Sequence, residues 1–252
     1  MTRDLVVIGA SWGGTEAVAK VLSGLAPDTG AALIVVLHVA AEVDGGELAR
    51  AIGMRCAMNV VVAEDKEPLL LSRVVLAPPD YHLLVELGRA VLSIDDPVNF
   101  ARPSIDVCFE TAAEAYGPRA VGVLLTGLGR DGSSGLAAIR NRGGYGIVQD
   151  PASAAAAEMP MAAIEVAAPD EIVRIDQLAA RIMAATGMVS IPETGTGTGP
   201  ETGTETGTET GTETGTETGT GTGTGPDTGP GPETGDRDRG NMRCEAGGEL
   251  GS

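Results

Sequence analysis

Three runs along the chain are apolar at almost every position: "DLVVIGAS" at residues 4–11, "AALIVVLH" at 31–38 and "AVGVLLTG" at 120–127. Runs rich in Val, Ile and Leu without polar alternation predict strands covered on both faces, the pattern of a parallel sheet. Between them the period lengthens. "GTEAVAKVLSGLAPDTG" carries apolar residues at 17, 18, 22 and 25 and ends in Gly and Pro, which predicts a helix and its stop. "RPSIDVCFETAAEAYG" sets Ile105, Cys108, Phe109, Ala112 and Tyr116 on one helical face, with Ser104 as N-cap. "DGSSGLAAIRNRGG" predicts a further helix closed by glycines. Strand and helix alternate, so the expected class is α/β, doubly wound, with a mostly parallel sheet flanked by helices. One segment departs from this plan. "RVVLAPPDYHLLVELGRAVLSIDD" (73–96) reads as short strands joined by turns with "ELGRA" as a hairpin tip, an antiparallel hairpin extension expected at one edge of the sheet. After it, "GYGIVQD" predicts another strand, then an alanine-rich helix, and "DEIVRIDQLAARIMAATG" a last strand and helix.

The pattern stops near residue 188. From there the chain is Thr, Gly, Glu and Pro in "ETGT" repeats with almost nothing apolar. Such a composition cannot bury enough surface to offset the entropy of ordering. The expected organisation is a globular domain over 1–187 and a disordered low-complexity tail over 188–252. The formal charge of −18 divides evenly, because the tail holds twelve acids against three arginines. No basic stripe exists, which argues against nucleic acid or an anionic membrane as the main partner. No apolar run approaches the ~20 residues of a membrane span. Cys56, Cys108 and Cys244 share no metal-ligand spacing. A reduced, cytoplasmic protein without a bound metal or cofactor is the expectation.

Chemistry concentrates where the apolar runs end. "GASWG" fits G-x-S-x-G, the strand-to-helix turn that lifts a serine hydroxyl, here Ser11, above a sheet. Ser11 could instead simply cap the helix. A dinucleotide loop is the rival reading, but it wants glycine where Ser11 stands and an acid at the end of the second strand. That strand ends in His38, the wrong group for a ribose diol and the right one for a general base. The third run leads through "LGRDG" to Asp131. A serine hydroxyl needs a base to become nucleophilic, and the imidazole needs a carboxylate to fix its tautomer. In an open α/β sheet all three would meet at the carboxyl ends of the strands. Gly127, Gly129 and Gly132 allow a tight turn that presents N–H groups, as an oxyanion hole requires. The alternative for Asp131 is an N-cap of the following helix. His82, the other histidine, lies in the hairpin region and reads as structural.

The order Ser, His, Asp, together with "VVIGASWGG", "VVLH", "LAPPDYHLLV", "RPSIDVCFETAAEAYG", "GVLLTGLGRDGSSGLAAIRNRGGYGIVQD" and "EMPMAAI", resembles the catalytic domain of the chemotaxis methylesterases, CheB, over residues 4–185. The resemblance implies Ser11 as nucleophile, His38 as base, Asp131 as its orienting acid, and backbone N–H groups at Trp12 and Leu128 as oxyanion donors. It implies hydrolysis of γ-glutamyl methyl esters on the cytoplasmic helices of chemoreceptors, with glutamine deamidation in some members, and no cofactor or metal. Three positions depart from the family pattern. Trp12 replaces a small residue or threonine, Leu37 a glutamine, and Leu128 a methionine. The match begins at the catalytic strand, so a form without the usual receiver domain is expected, its regulatory partner unknown. Two function classes stay open: a serine hydrolase, on chemoreceptors or on another methylated protein, and a catalytically weak regulatory or binding module on the same fold.

Overall fold

Leu5–Ala10 is apolar throughout and buried at all six positions, as a strand sandwiched between helices must be. The computed structural model describes residues 2–187; the predicted tail and Cys244 lie outside the described residues. In chain order the elements are β1 (Leu5–Ala10), α1 (Gly14–Ser23), β2 (Ala32–Leu37), α2 (Gly45–Gly53), β3 (Asn59–Val62) and β4 (Arg73–Leu76). They continue with β5 (His82–Glu86), β6 (Arg89–Ser93), α3 (Ile105–Tyr116), β7 (Ala120–Leu124) and α4 (Ser133–Asn141). The last are β8 (Tyr145–Gln149), α5 (Glu158–Ala167), β9 (Glu171–Val173) and α6 (Leu178–Thr186).

Seven strands form one sheet in the order β3-β4-β2-β1-β7-β8-β9, and all its pairings are parallel. Successive side chains of a strand point to opposite faces, so each strand feeds two cores. Val6, Ile8, Leu33 and Val35 pack with Leu22 of α1 and Ile182 of α6 on one face. Leu5, Val7 and Ile34 pack with Phe109 of α3 and Leu136 of α4 on the other. This is the doubly wound α/β architecture that the alternation predicts. Strand order reverses at β1: the chain first builds outward through β2, then returns to add β7 on the opposite side. Such a switch point opens a crevice beyond the strand ends.

The segment 73–96 divides differently from the expectation. Arg73–Leu76 is an interior parallel strand between β3 and β2, because Val74, Val75 and Leu76 are apolar toward both faces and all buried. β5 and β6 do form the antiparallel hairpin, turning at Leu87 and Gly88 (φ +81°). It is a separate two-stranded sheet and adds no strand to an edge of the large one. Leu83, Val85 and Ala90 bury against α3, and Val85 N–H and Gly88 N–H donate to Thr111 Oγ1 (3.0 Å) and Tyr116 Oη (3.1 Å) of that helix. Side-chain burial on a helix thus replaces backbone pairing at an edge. The elements α2 and β3 had no counterpart in the sequence pattern, since α2 buries only Ala49 and Ile52 and β3 has no fully buried residue.

Candidate active site

Ser11 follows β1 directly. Its N–H donates to Thr126 O (3.0 Å) and its carbonyl accepts from Gly14 N–H (2.8 Å), which closes a tight turn into α1. Gly13 sits at φ +74°, and a Cβ there would come within 2.6 Å of Ala155 Cβ, so the turn admits only glycine. Thr126 ties this turn to its neighbours. Its Oγ1 lies 3.0 Å from Trp12 O and accepts from Ala156 N–H at 2.8 Å. Gly127 lets the following loop lie against Ser11, since a Cβ would fall 2.8 Å from Ser11 Cβ.

His38 follows β2, and Ala10 pairs with Leu37 in register, so residues 11 and 38 emerge side by side. The imidazole Nδ1 lies 3.2 Å from Ser11 Oγ and Nε2 lies 2.8 Å from Asp131 Oδ2. A carboxylate only accepts, so the proton sits on Nε2 and the Nδ1 lone pair faces the serine hydroxyl. The structure therefore brings together all three side chains that the strand ends nominate. The ring stays partly open to the cleft, with the His38 side chain 20% exposed.

Asp131 follows β7 after a loop, and its surroundings were not legible in the sequence. The following helix, α4, has Gly132 as its N-cap and no side-chain cap, so the expected alternative of Asp131 as its cap does not hold. Asp131 instead docks on the N-terminus of α3. Oδ2 accepts from Ile105 N–H (2.6 Å), and Oδ1 from Ser104 Oγ (3.0 Å), Asp106 N–H (3.2 Å) and Asn99 Nδ2 (2.8 Å). Unpaired N–H groups and the helix dipole make this end a natural seat for a negative charge. Asp131 is only 3% exposed. Burial pushes its carboxyl up, but donors from His38, Asn99 and Ile105 outweigh that and hold it at about 2.

A second carboxylate lies beside it. Asp106, buried on the first turn of α3, accepts from Gly135 N–H (2.7 Å) and Asn99 Nδ2 (2.8 Å). Burial, together with the neighbouring charges of Asp131 and Glu110, lifts it from 3.8 to about 6. Sequence reading found Ser104 as N-cap, and its Oγ does accept from Val107 N–H. It missed Asn99 and Asp106, because Asp131 lies 32 residues from Asn99 and Gly135 lies 29 from Asp106. His82 is 1% exposed; Ser104 N–H donates to its Nδ1 (3.1 Å) and its Nε2 donates to Asp96 O (3.1 Å). It buttresses the N-terminus of α3 rather than joining the reactive groups.

His38 and Asp131 line a cleft of about 550 Å³, together with Asn99, Phe100, Arg102 and Leu128 among others; Ser11 stands beside it, 3.2 Å from the His38 ring. Phe100 and Leu128, which line the cleft, are exposed apolar side chains, and so is Trp12 (66% exposed), next to Ser11 in the chain. Among the described residues, Trp12 N–H and Leu128 N–H have no hydrogen-bond acceptor. No cluster of three or more His, Cys, Asp or Glu side chains suited to a metal ion occurs among the described residues.

Compared with known families, residues 6–182 match the CheB methylesterase model. The chain belongs to the CheB methylesterase family. A Leptospira interrogans protein, named as a candidate protein-glutamate methylesterase/protein-glutamine glutaminase, is 41% identical over 180 residues, covering 71% of this chain and 93% of that protein. The Anaeromyxobacter dehalogenans protein-glutamate methylesterase/protein-glutamine glutaminase 2 is 43% identical over 175 residues, 69% of this chain but 51% of the relative. The crystal structure of the Thermotoga maritima CheB methylesterase catalytic domain superposes with a TM-score of 0.68 at 28% identity, covering 73% of this chain and 99% of that one. In this CheB chain, Ser11, His38 and Asp131 all fall within the matched span, as does the N-terminus of α3 that holds the acid.

Proposed function

We propose that this chain is a protein-glutamate methylesterase that hydrolyses γ-methyl esters of glutamate on the cytoplasmic helices of chemoreceptors, with Ser11, His38 and Asp131 as its catalytic groups. The observation that carries this reading is the continuous chain of contacts from Ser11 Oγ to His38 Nδ1 (3.2 Å) and from His38 Nε2 to Asp131 Oδ2 (2.8 Å). His38 Nδ1 takes the hydroxyl proton as Ser11 Oγ attacks the ester carbonyl. The imidazolium that forms now donates from both nitrogens, and the Asp131 carboxylate stabilises it. The carbonyl oxygen, now negative, accepts from Trp12 N–H and Leu128 N–H. Collapse breaks the bond to the methoxy group, which takes the proton from Nδ1 and departs as methanol. Water then attacks the acyl-enzyme with His38 again as base, giving the glutamate carboxylate and free Ser11. A glutamine side chain follows the same course with ammonia as leaving group, the second activity in the relatives' names.

A side-chain ester on a protein suits a cleft rimmed by exposed apolar residues, because the reacting group must reach inward while its carrier stays outside. Methanol release from methylated receptor helices, comparing the wild type with Ser11→Ala, tests the proposal. Release by the wild type and none by the variant is the expected result; equal release overturns it. A serine-directed fluorophosphonate separates this reading from a catalytically silent module, since only the enzyme labels at Ser11. The reading also takes 1–187 as the catalytic unit, so a chain ending at Gly187 should keep wild-type turnover.

A further inference from the structure

Asn99 stands at the tip of a two-residue turn outside the regular elements. Val98 and Ala101 pair across it, with N–H to O distances of 3.1 and 2.9 Å, and both central residues are left-handed, Asn99 at φ +52° and Phe100 at φ +62°. Two successive positive φ values define the hairpin turn whose hand matches twisted strands, and asparagine tolerates the first position. A phenylalanine at the second is strained. It is fully exposed and lines the cleft. Strain of this kind persists where the surroundings over-determine the backbone, commonly at functional sites.

One side chain ties the turn to the site. Asn99 Nδ2 lies 2.8 Å from Asp131 Oδ1 and 2.8 Å from Asp106 Oδ2. Both partners are carboxylates, so only the two N–H bonds of the amide, and not its oxygen, fit between them. Every other donor to Asp131 Oδ1 belongs to Ser104 or Asp106, on α3 or its cap. Asn99 alone approaches from the cleft side. It lies between the two carboxylates and engages Oδ1 of Asp131, while Oδ2 meets His38 Nε2. The residue itself is exposed, so it contributes no core packing.

We propose that Asn99 is a positioning residue of the hydrolytic reaction, holding the Asp131 carboxylate in the rotamer that orients His38 by bridging it to Asp106. The proposal rests on the hydrolase reading above, and the test tells the two apart. Asn99→Gly keeps the left-handed turn without strain and removes the amide. With a fluorophosphonate, wild-type Ser11 should label, and Asn99→Gly should label about ten-fold more slowly, the size of one lost hydrogen bond to a charged group. On methylated receptor helices kcat should fall in parallel, while KM changes less than kcat does. The exchange Asn99→Asp with Asp106→Asn restores an amide–carboxylate pair between the two positions but returns no donor to Asp131. Its melting temperature should recover relative to Asn99→Asp alone, and its labelling should stay slow.

Wild-type labelling with an equally fast Asn99→Gly overturns the inference and leaves the hydrolase reading standing. Recovery of rate together with melting temperature in the exchanged variant also overturns it, because Asn99 would then serve structure only. A wild-type Ser11 that does not label brings down the hydrolase reading, and the inference with it.

Discussion

The molecule has two histidines, and they occupy opposite kinds of place. His38 ends a parallel strand, is partly open to a cleft, and meets a hydroxyl and a carboxylate. His82 begins a hairpin strand, is 1% exposed, and meets a backbone N–H and a backbone carbonyl. Both rings are held by one donor and one acceptor, so hydrogen bonding alone does not separate a reactive histidine from a structural one. What separates them is whether the partners can exchange a proton. Backbone groups cannot, whereas a serine hydroxyl can. The two are nonetheless linked, because Ser104 donates its N–H to His82 and its Oγ to Asp131.

The contrast breaks most sharply by truncating each ring. His38→Ala should lower methanol release by roughly 10⁶; a loss of less than about 10² would remove it as the base. Asp131→Asn comes next. Its amide would donate to Nε2 and force the proton onto Nδ1, facing the serine, which should cost about 10⁴ in kcat. Near-normal turnover in that variant would show that the acid does not set the tautomer. His82→Ala should act the other way round. It leaves the buried Ser104 N–H without an acceptor, a cost of about 1–3 kcal/mol, visible as a melting temperature lower by about 5–10 °C. Turnover should fall far less than with His38→Ala, and an unaltered melting curve would contradict the supporting role.

The two carboxylates on the α3 seat give a subtler test. Asp131 is held down at about 2, so the stability it contributes is present above its ordinary 3.8 and is lost as pH falls toward 2. Asp106 is lifted to about 6, so its sign is reversed: its contribution is full below 3.8 and is lost as pH rises through 6. Asp106→Asn should therefore flatten the decline in melting temperature between pH 4 and 6, by about 2–4 °C. A wild-type curve with no decline there would refute the lifted carboxyl. A shift of similar size belongs to Phe100→Gly. Relief of its left-handed backbone should raise the melting temperature by about 2–4 °C while raising KM for a protein substrate, and a lowered melting temperature would mean the side chain supports the fold.

The convergence of Ser11, His38 and Asp131 was legible because two of them end apolar runs and the third lies on the loop after another, and a parallel sheet places its strand ends together. The same logic found Ser104, since a cap is a local signal. It could not find Asn99 or Asp106, because their chemistry arises only when the loop after β7 folds back across α3. It also grouped β4 with the hairpin, since three buried apolar residues followed by "APPD" look alike in either setting. Whether a hairpin joins an edge or lies on a helix depends on which apolar surface is nearest, here Leu83 and Val85 against α3.

The seat of Asp131 has one more meaning. Five donors converge on its two oxygens. With every lone pair so occupied, no vacancy is left for an arriving hydrogen ion. On the proposed hydrolytic reading the group is then a stationary counter-charge and not a relay station, and the ion shuttled during turnover travels only between the ring and the atoms facing it across the mouth.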